Sequence, residues 1–209
     1  MVERNDANPN SNQTVQVLWF GSGIAGVTCT IIALRYLESL LTSPVLYVLT
    51  ETAPNDLIGR IYAVVQFVML VGFVLGAWVT WSLTVLVLLR IVGLNPGVGT
   101  VFGTTGLGLV PIALVSFLIA QTTVQPIIVP ILSAVARELP PAELALAYQV
   151  VDSQTKYSTI LQSAMQGSTV LSGIFASLLL AMSTRMPVLY AAIATLPLPL
   201  LLVAAGILT

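Results

Sequence analysis

The stretch Ile61–Leu89, IYAVVQFVMLVGFVLGAWVTWSLTVLVLL, decides the fold class of this chain. It runs for 29 residues between Arg60 and Arg90 without a charged side chain. A helix needs only about 20 apolar residues to cross the hydrocarbon core of a bilayer. In lipid only helices and closed barrels satisfy their backbone amides, and the period-two alternation of barrel strands is missing here. The stretch therefore predicts a transmembrane helix.

The whole chain shares this apolar composition. Of its 209 residues, 57% are hydrophobic and 7% are charged, and the mean hydropathy is +1.00. A soluble domain carries about 25% charged residues. A soluble globular enzyme, a disordered chain and a disulfide-stapled secreted domain are therefore excluded. The composition predicts a multi-pass integral membrane protein of a bacterial-type inner membrane or a photosynthetic membrane.

Further charge-free stretches at 7–34, 91–136, 157–184 and 186–209 predict more spans. The stretch 91–136 holds 46 residues, so we expect it to fold back on itself near Gln121–Thr123. The expected spans are 15–34, 61–82, 101–120, 121–137, 158–182 and 186–208, with weaker segments at 37–52 and 83–93. The predicted fold is all-α, a polytopic transmembrane helical bundle with six to eight membrane segments.

The domain organisation is predicted to be simple. Residues 1–13 form a polar, asparagine-rich N-terminal tail, and 14–209 form a single transmembrane domain. Within it, PVLYVLTETAP at 44–54 resembles PILSAVARELP at 130–140. This similarity indicates either two repeats, about 15–93 and 101–182, followed by a final helix at 186–208, or a chance match between apolar helices.

The sequence contains few of the residues that catalysis, metal binding or nucleic-acid binding requires. The chain has no histidine, and its single cysteine, Cys29, lies in an apolar run. Lys156 is the only lysine, and the nearby Ser153 and Ser163 have no evident oxyanion partner for acyl transfer. A net charge of −1 without a basic cluster argues against nucleic acid. We expect a chain that is not an enzyme and needs no metal or resident cofactor.

The most informative polar feature is a stripe at helical spacing. Steps of three or four residues place its members on one helix face: Gln149, Asp152, Ser153, Lys156, Thr159, Ser163 and Gln166. One interpretation is the wall of a substrate or proton path. The other is an interfacial turn before the span, with Asp152 and Lys156 paired at the level of the lipid headgroups. Gln162 and Gln166 lie deeper and are expected to bond another helix.

Other residues suggest helix packing. Gln66, Gln121 and Gln125 could orient a ligand or a pigment's magnesium, although interhelical hydrogen bonding is the favoured interpretation. Small residues four apart let helix backbones approach closely, and they recur as Ser22/Gly26, Gly72/Gly76, Ser163/Gly167 and Gly173/Ser177. The glycine-rich segment Gly93–Gly108 is expected to be a re-entrant loop or hairpin. Trp19, Trp78 and Trp81 are interpreted as anchors at the membrane interface.

A family resemblance rests on two loops. The segment Glu51–Arg60, ETAPNDLIGR, followed by an apolar helix with Gly72 and Gly76, resembles a cytoplasmic loop of the major facilitator superfamily. The segment Leu139–Ala145, LPPAELA, resembles the equivalent loop in the other half of such transporters. The resemblance implies a cytoplasmic face for 52–60 and 138–146, and hence an even number of crossings between them.

The sequence is therefore compatible with two functions. The first is a non-catalytic membrane subunit that packs within a larger complex, photosynthetic or respiratory, in contact with lipids, other transmembrane subunits or a carotenoid- or chlorophyll-type pigment. The second is a half-size transporter of the major facilitator type that acts as a dimer. The polar stripe distinguishes them, because only a transporter requires it to line a water-filled cavity.

Overall fold

The computed structural model describes residues 9–52, 56–125 and 141–205, with side chains for 13–40, 61, 63–125, 159 and 161–205. Within these ranges every regular element is helical. In chain order they are α1 (Pro9–Thr52), α2 (Asp56–Ile91), α3 (Val98–Gly108), α4 (Val110–Ile119), α5 (Pro141–Thr184), α6 (Val188–Thr195) and α7 (Pro197–Ala204). A π-helical turn, Ala120–Val124, continues α4.

Four helical stretches are long and apolar enough to cross a membrane, which is consistent with an integral membrane protein. They are Gln13–Leu40, Ala63–Ile91, Val98–Val124 and Leu161–Thr184, and we refer to them as spans 1 to 4. The shorter apolar stretch Val188–Ala204 follows span 4. The all-helical fold is confirmed, whereas the expected count of six to eight membrane segments is not.

Three of the expected boundaries are wrong. Residues 83–91 of the weak segment 83–93 are the end of α2, and 37–52 continues α1, so neither segment is a separate element. The chain does not fold back at Gln121–Thr123, because the π-helical turn keeps the backbone helical through this polar triplet. A π-helical turn absorbs one extra residue without ending the helix. The rest of the expected span 121–137 and the second repeat motif, 130–140, lie outside the described residues.

Helix α1 begins before its apolar stretch. Its first residue is Pro9, within the predicted polar stretch 1–13, whereas span 1 begins at Gln13. Proline is favoured at the first helical position, where its missing amide hydrogen costs nothing. The last expected span, 186–208, is broken into α6 and α7 at Leu196, because Pro197 and Pro199 remove two helical donors.

Contacts along the helices give the direction of each span. Positions 16, 23 and 26 of α1 lie against positions 99, 103 and 106 of α3, so spans 1 and 3 are parallel. Span 4 runs the opposite way, since Ser116 of α4 contacts Met165 of α5 while Gly108 faces Ala176. The short turn between Ile91 and Val98 reverses the direction of the chain, so span 3 runs antiparallel to span 2. The four spans therefore alternate in direction.

The apolar core lies where these spans meet. Val85 and Leu89 of α2, Val101 of α3 and Leu180 of α5 are almost completely buried in one cluster. A second, smaller cluster at the other end of span 3 holds Leu37, Ala120 and Val124. Large apolar side chains elsewhere point outward, as a lipid environment allows.

Candidate functional site

Glycines bring α1 and α3 into direct backbone contact. A Cβ built on Gly23 would lie 2.6 Å from the Phe102 carbonyl oxygen, and one on Gly106 would lie 2.5 Å from that of Gly23. Gly103 lies equally close to the backbone of Trp19. No side chain larger than hydrogen fits at these positions without moving a helix. This glycine crossing is the tightest helix contact in the described bundle.

The glycine crossing corrects the expectation for Gly93–Gly108. Only the turn at its start is loop-like, with Gly93 at φ +83°, and Val98–Gly108 is a packed helix instead of a re-entrant loop. Glycine lowers helix propensity in water, but in a membrane the close approach that it permits compensates. The Gly99/Gly103 spacing carries the same four-residue signal that the sequence shows at Gly72/Gly76, so it could have been recognised.

The other small-residue pairs differ in their surroundings. Gly173 of α5 packs inward, since an added Cβ would lie 2.9 Å from Leu196 Cδ2 and 3.2 Å from Pro199 Cγ. At Gly72, Gly76 and Gly167, an added Cβ would meet no described atom within 4 Å apart from the backbone of its own helix, and all three glycines are exposed. Ser163 is exposed and donates to the Thr159 carbonyl of its own helix at 2.8 Å. The Gly72/Gly76 and Ser163/Gly167 pairs therefore face away from the described bundle.

Two tryptophans are core residues. Trp78 and Trp81 are 6% and 4% exposed, which corrects their interpretation as interface anchors. Buried indoles need an acceptor, and both find a carbonyl oxygen on a neighbouring helix: Trp78 donates to Phe102 at 3.1 Å and Trp81 to Thr195 at 2.9 Å. Because α2 continues to Ile91, these residues lie well inside the span and not at its end.

Buried hydroxyls fill much of the space between helices. Ser82 bonds Thr105 at 2.7 Å, joining α2 to α3, and Ser177 bonds Thr195, joining α5 to α6. Thr30 of α1 donates to its own Gly26 carbonyl at 2.9 Å and to the Leu109 carbonyl at 3.2 Å. Hydroxyls that bond their own helix satisfy themselves cheaply and can still reach a neighbour.

A polar cluster lies at the far end of spans 1 and 3. Gln121 in the π-helical turn donates to the Tyr36 hydroxyl at 2.9 Å, which confirms the interhelical bond expected for this amide. Tyr36 also packs on Phe117, with ring centroids 5.9 Å apart. Arg35 and Glu38 form an ion pair at 2.9 Å, with side chains 30% and 22% exposed. Such a partly exposed pair contributes little to stability and marks the end of the apolar stretch.

The polar stripe lies on α5, but only its later members have described side chains. Gln149, Asp152, Ser153 and Lys156 belong to this helix, while their side chains lie outside the described residues. Gln162 and Gln166 are half-buried, as is Gln66 on α2. Whether the stripe lines a path or meets lipid headgroups therefore stays a prediction.

The described side chains contain no group of three or more residues able to hold a metal ion. No family model, curated protein or solved structure matches this chain.

Proposed function

We propose that this chain is a non-catalytic integral membrane subunit that packs against other transmembrane chains in a larger complex. The observation that carries the proposal is the outward-facing pair Gly72/Gly76 on α2, which has no neighbour in the described bundle. The proposed setting is a photosynthetic or respiratory assembly of a bacterial-type inner membrane or a photosynthetic membrane.

The role of glycine in this bundle is clear where another helix packs against it. At Gly23, Gly103 and Gly106 the backbone of another helix fills the space that a side chain would take. Gly72 and Gly76 lower the helix propensity of α2 by about 1 kcal/mol each relative to alanine. Nothing in the described bundle offsets that cost. In lipid, where helix association depends on close backbone contact, a helix of another chain would offset it.

The surface around this pair suits an apolar partner. Only 11% of the most apolar part of span 2 is buried within the bundle. Met69, Phe73 and Val79 are 67%, 55% and 40% exposed. Lipid chains, a partner helix or a carotenoid- or chlorophyll-type pigment would each cover such a face. The Ser163/Gly167 pair on α5 offers a second, smaller contact of the same kind.

The interior supports a packed scaffold over a conduit. The buried polar groups of the described core are hydroxyls and indoles, most of them bonded to a neighbouring helix or to their own helix. The closest helix pair, α1 and α3, touches backbone to backbone. Among the described side chains, this interior holds no charged group.

The test is the native mass after mild detergent extraction, with Gly72→Leu/Gly76→Leu compared with wild type. We expect wild type to migrate in a much larger assembly of fixed stoichiometry and the double variant to leave it with unchanged thermal stability. Gly21→Leu is the matched control, because Gly21 is equally open but lies on α1. A wild-type mass of one or two copies, or an assembly that retains the double variant, would overturn the proposal.

One observation supports a second candidate, the half-size transporter. Among the described residues, spans 2 and 3 lie between the two loops that resemble the major facilitator superfamily, and two crossings are the even number that the resemblance requires. In a transporter Asp152 would titrate during transport. Substrate flux in vesicles that is lost in Asp152→Asn, while the native mass stays the same, would favour this function over the subunit.

A further inference from the structure

Two arginines lie at the same end of the bundle. A Cβ built on Gly108 would lie 2.7 Å from Ala176 Cβ and 3.1 Å from Trp81 Cη2, so α2 and α5 are level at these residues. The two helices run in the same direction, and Arg90 and Arg185 each follow nine residues further on. The helical rise therefore places both arginines about 14 Å beyond this contact, at one level of the bundle.

That level is the end of the apolar helices. Span 2 ends at Ile91 and span 4 at Thr184, so each arginine lies within one residue of the end of its span. Both Arg90 and Arg185 are exposed. An arginine at the end of a transmembrane helix extends its guanidinium to the lipid headgroups, because this avoids the cost of a charge in hydrocarbon.

The helix surfaces that lead to the two arginines are apolar and open. Val87, one turn before Arg90, is 57% exposed, and Met182, one turn before Arg185, is 78% exposed. Residues three positions apart share a helix face. Each arginine therefore continues a surface that suits lipid chains.

Among the described side chains, neither guanidinium has an acid as a partner. Glu38 is the sole acidic residue among those side chains, and it is paired with Arg35 at 2.9 Å. This pair lies beside Tyr36, at the opposite end of the bundle. The described part of the short-turn end thus carries two positive charges and no negative one.

We propose that Arg90 and Arg185 bind the phosphate groups of anionic phospholipids in one leaflet. A guanidinium forms charge-assisted, bidentate hydrogen bonds with phosphate. A zwitterionic lipid carries its own cation beside the phosphate, so a headgroup with net negative charge is preferred. The inference is independent of the proposed subunit role, because it uses neither Gly72 nor Gly76.

The thermal midpoint in lipid nanodiscs tests the proposal. We expect wild type to melt higher in phosphatidylglycerol than in phosphatidylcholine of the same chain length, by about 2–4 °C for each arginine. This increment should vanish in Arg90→Gln/Arg185→Gln and shrink as sodium chloride is raised. Arg35→Gln is the matched control and should keep the increment, because the charge of Arg35 already has a partner in Glu38.

The backbone at Arg185 allows charge and conformation to be separated. Its φ is +55°, in the left-handed region where glycine is the usual residue after a helix. Arg185→Gly relieves this strain, so we expect the midpoint in phosphatidylcholine to rise by about 2–4 °C. The phosphatidylglycerol increment should nevertheless fall by about half, because one of the two charges is lost.

Three outcomes would overturn the proposal. The first is an equal wild-type midpoint in the two lipids. The second is an Arg90→Gln/Arg185→Gln variant that loses the same stability in both lipids, because the arginines would then act on the helix dipoles alone. The third is inorganic phosphate that raises the wild-type midpoint in phosphatidylcholine as much as phosphatidylglycerol does, which would assign the arginines to a soluble anion.

Discussion

At the scale of single residues, proline and tryptophan act together in this bundle. Pro199 has no amide hydrogen, so the Thr195 carbonyl four residues earlier loses its helical donor. The indole of Trp81 donates to that carbonyl at 2.9 Å from another helix. The bond joins residues 114 positions apart in sequence and ties α2 to the break between α6 and α7.

Removing the indole donor of Trp81 tests whether the Thr195 carbonyl depends on it. We expect Trp81→Phe to lose about 1–3 kcal/mol of unfolding free energy, because a buried carbonyl is left unsatisfied. In a Pro199→Ala background, the new amide at position 199 can donate to the Thr195 carbonyl. Trp81→Phe should then lower the unfolding free energy by less. Thermal unfolding in detergent of the two single variants and the double variant measures the difference.

Trp78→Phe is the control for this cycle. Its acceptor, the Phe102 carbonyl, lies inside α3, where the helix supplies a donor of its own. The cost of losing the Trp78 bond should therefore be unchanged by Pro199→Ala. Equal costs of Trp81→Phe in both backgrounds would show that the indole contributes packing alone.

At the scale of elements, the glycine crossing fixes how α1 meets α3. Backbone contact at Gly23, Gly103 and Gly106 leaves no room for side chains between the two helices. Aromatic rings then close one side of the crossing, with the Trp78 and Phe102 centroids 5.5 Å apart and that of Phe20 6.1 Å from each. Three spans are thereby held together around one point.

Two alanine substitutions compare a glycine that contacts another helix with one that faces away from the described bundle. Gly103→Ala should destabilise the bundle by about 1–3 kcal/mol, as overpacking of a tight contact does. Gly76→Ala should be neutral or slightly stabilising, since its Cβ meets no neighbouring helix among the described residues and alanine is the better helix former. Thermal unfolding of detergent-extracted protein measures both, and equal effects would contradict the crossing.

At the scale of the whole molecule, alternating spans place the chain's polar segments. Asp56 and Pro141, where α2 and α5 begin, lie at one end of the bundle. The turns near Asn95 and Arg185 lie at the other end. The Tyr36–Gln121 cluster lies at the first end, where span 1 and span 3 both finish. One end of the bundle thus carries the longer extensions of α1, α2 and α5 beyond their spans, and the other carries short turns.

Cysteine labelling across a sealed membrane tests this arrangement. In a Cys29→Ser background, Asp56→Cys and Glu143→Cys should react with an impermeant thiol reagent from one side. Asn95→Cys and Arg185→Cys should react only from the other. Labelling of Asp56→Cys and Glu143→Cys from opposite sides would contradict the four alternating spans.

Much of the fold could be predicted from local composition. The absence of charge over Ile61–Leu89 gave the correct helix, although its end was placed too early, at 82. The expected turn at Gln121–Thr123 failed because polarity in three residues does not break a helix whose backbone can absorb it in a π-helical turn. The interhelical bond of Gln121 was foreseen from its residue type, but its partner, Tyr36, was not.

The sequence by itself determined the solvent and the secondary structure, because hydropathy and helix length are local properties that each segment carries alone. The tertiary structure decided which glycines contact another helix. Gly103 and Gly76 look alike in sequence, yet Gly103 lies against the backbone of α1 and Gly76 has no neighbouring helix among the described residues. It also decided that Trp81 is a buried donor. Both depend on which helix lies alongside, and packing between distant segments leaves no local mark in the chain.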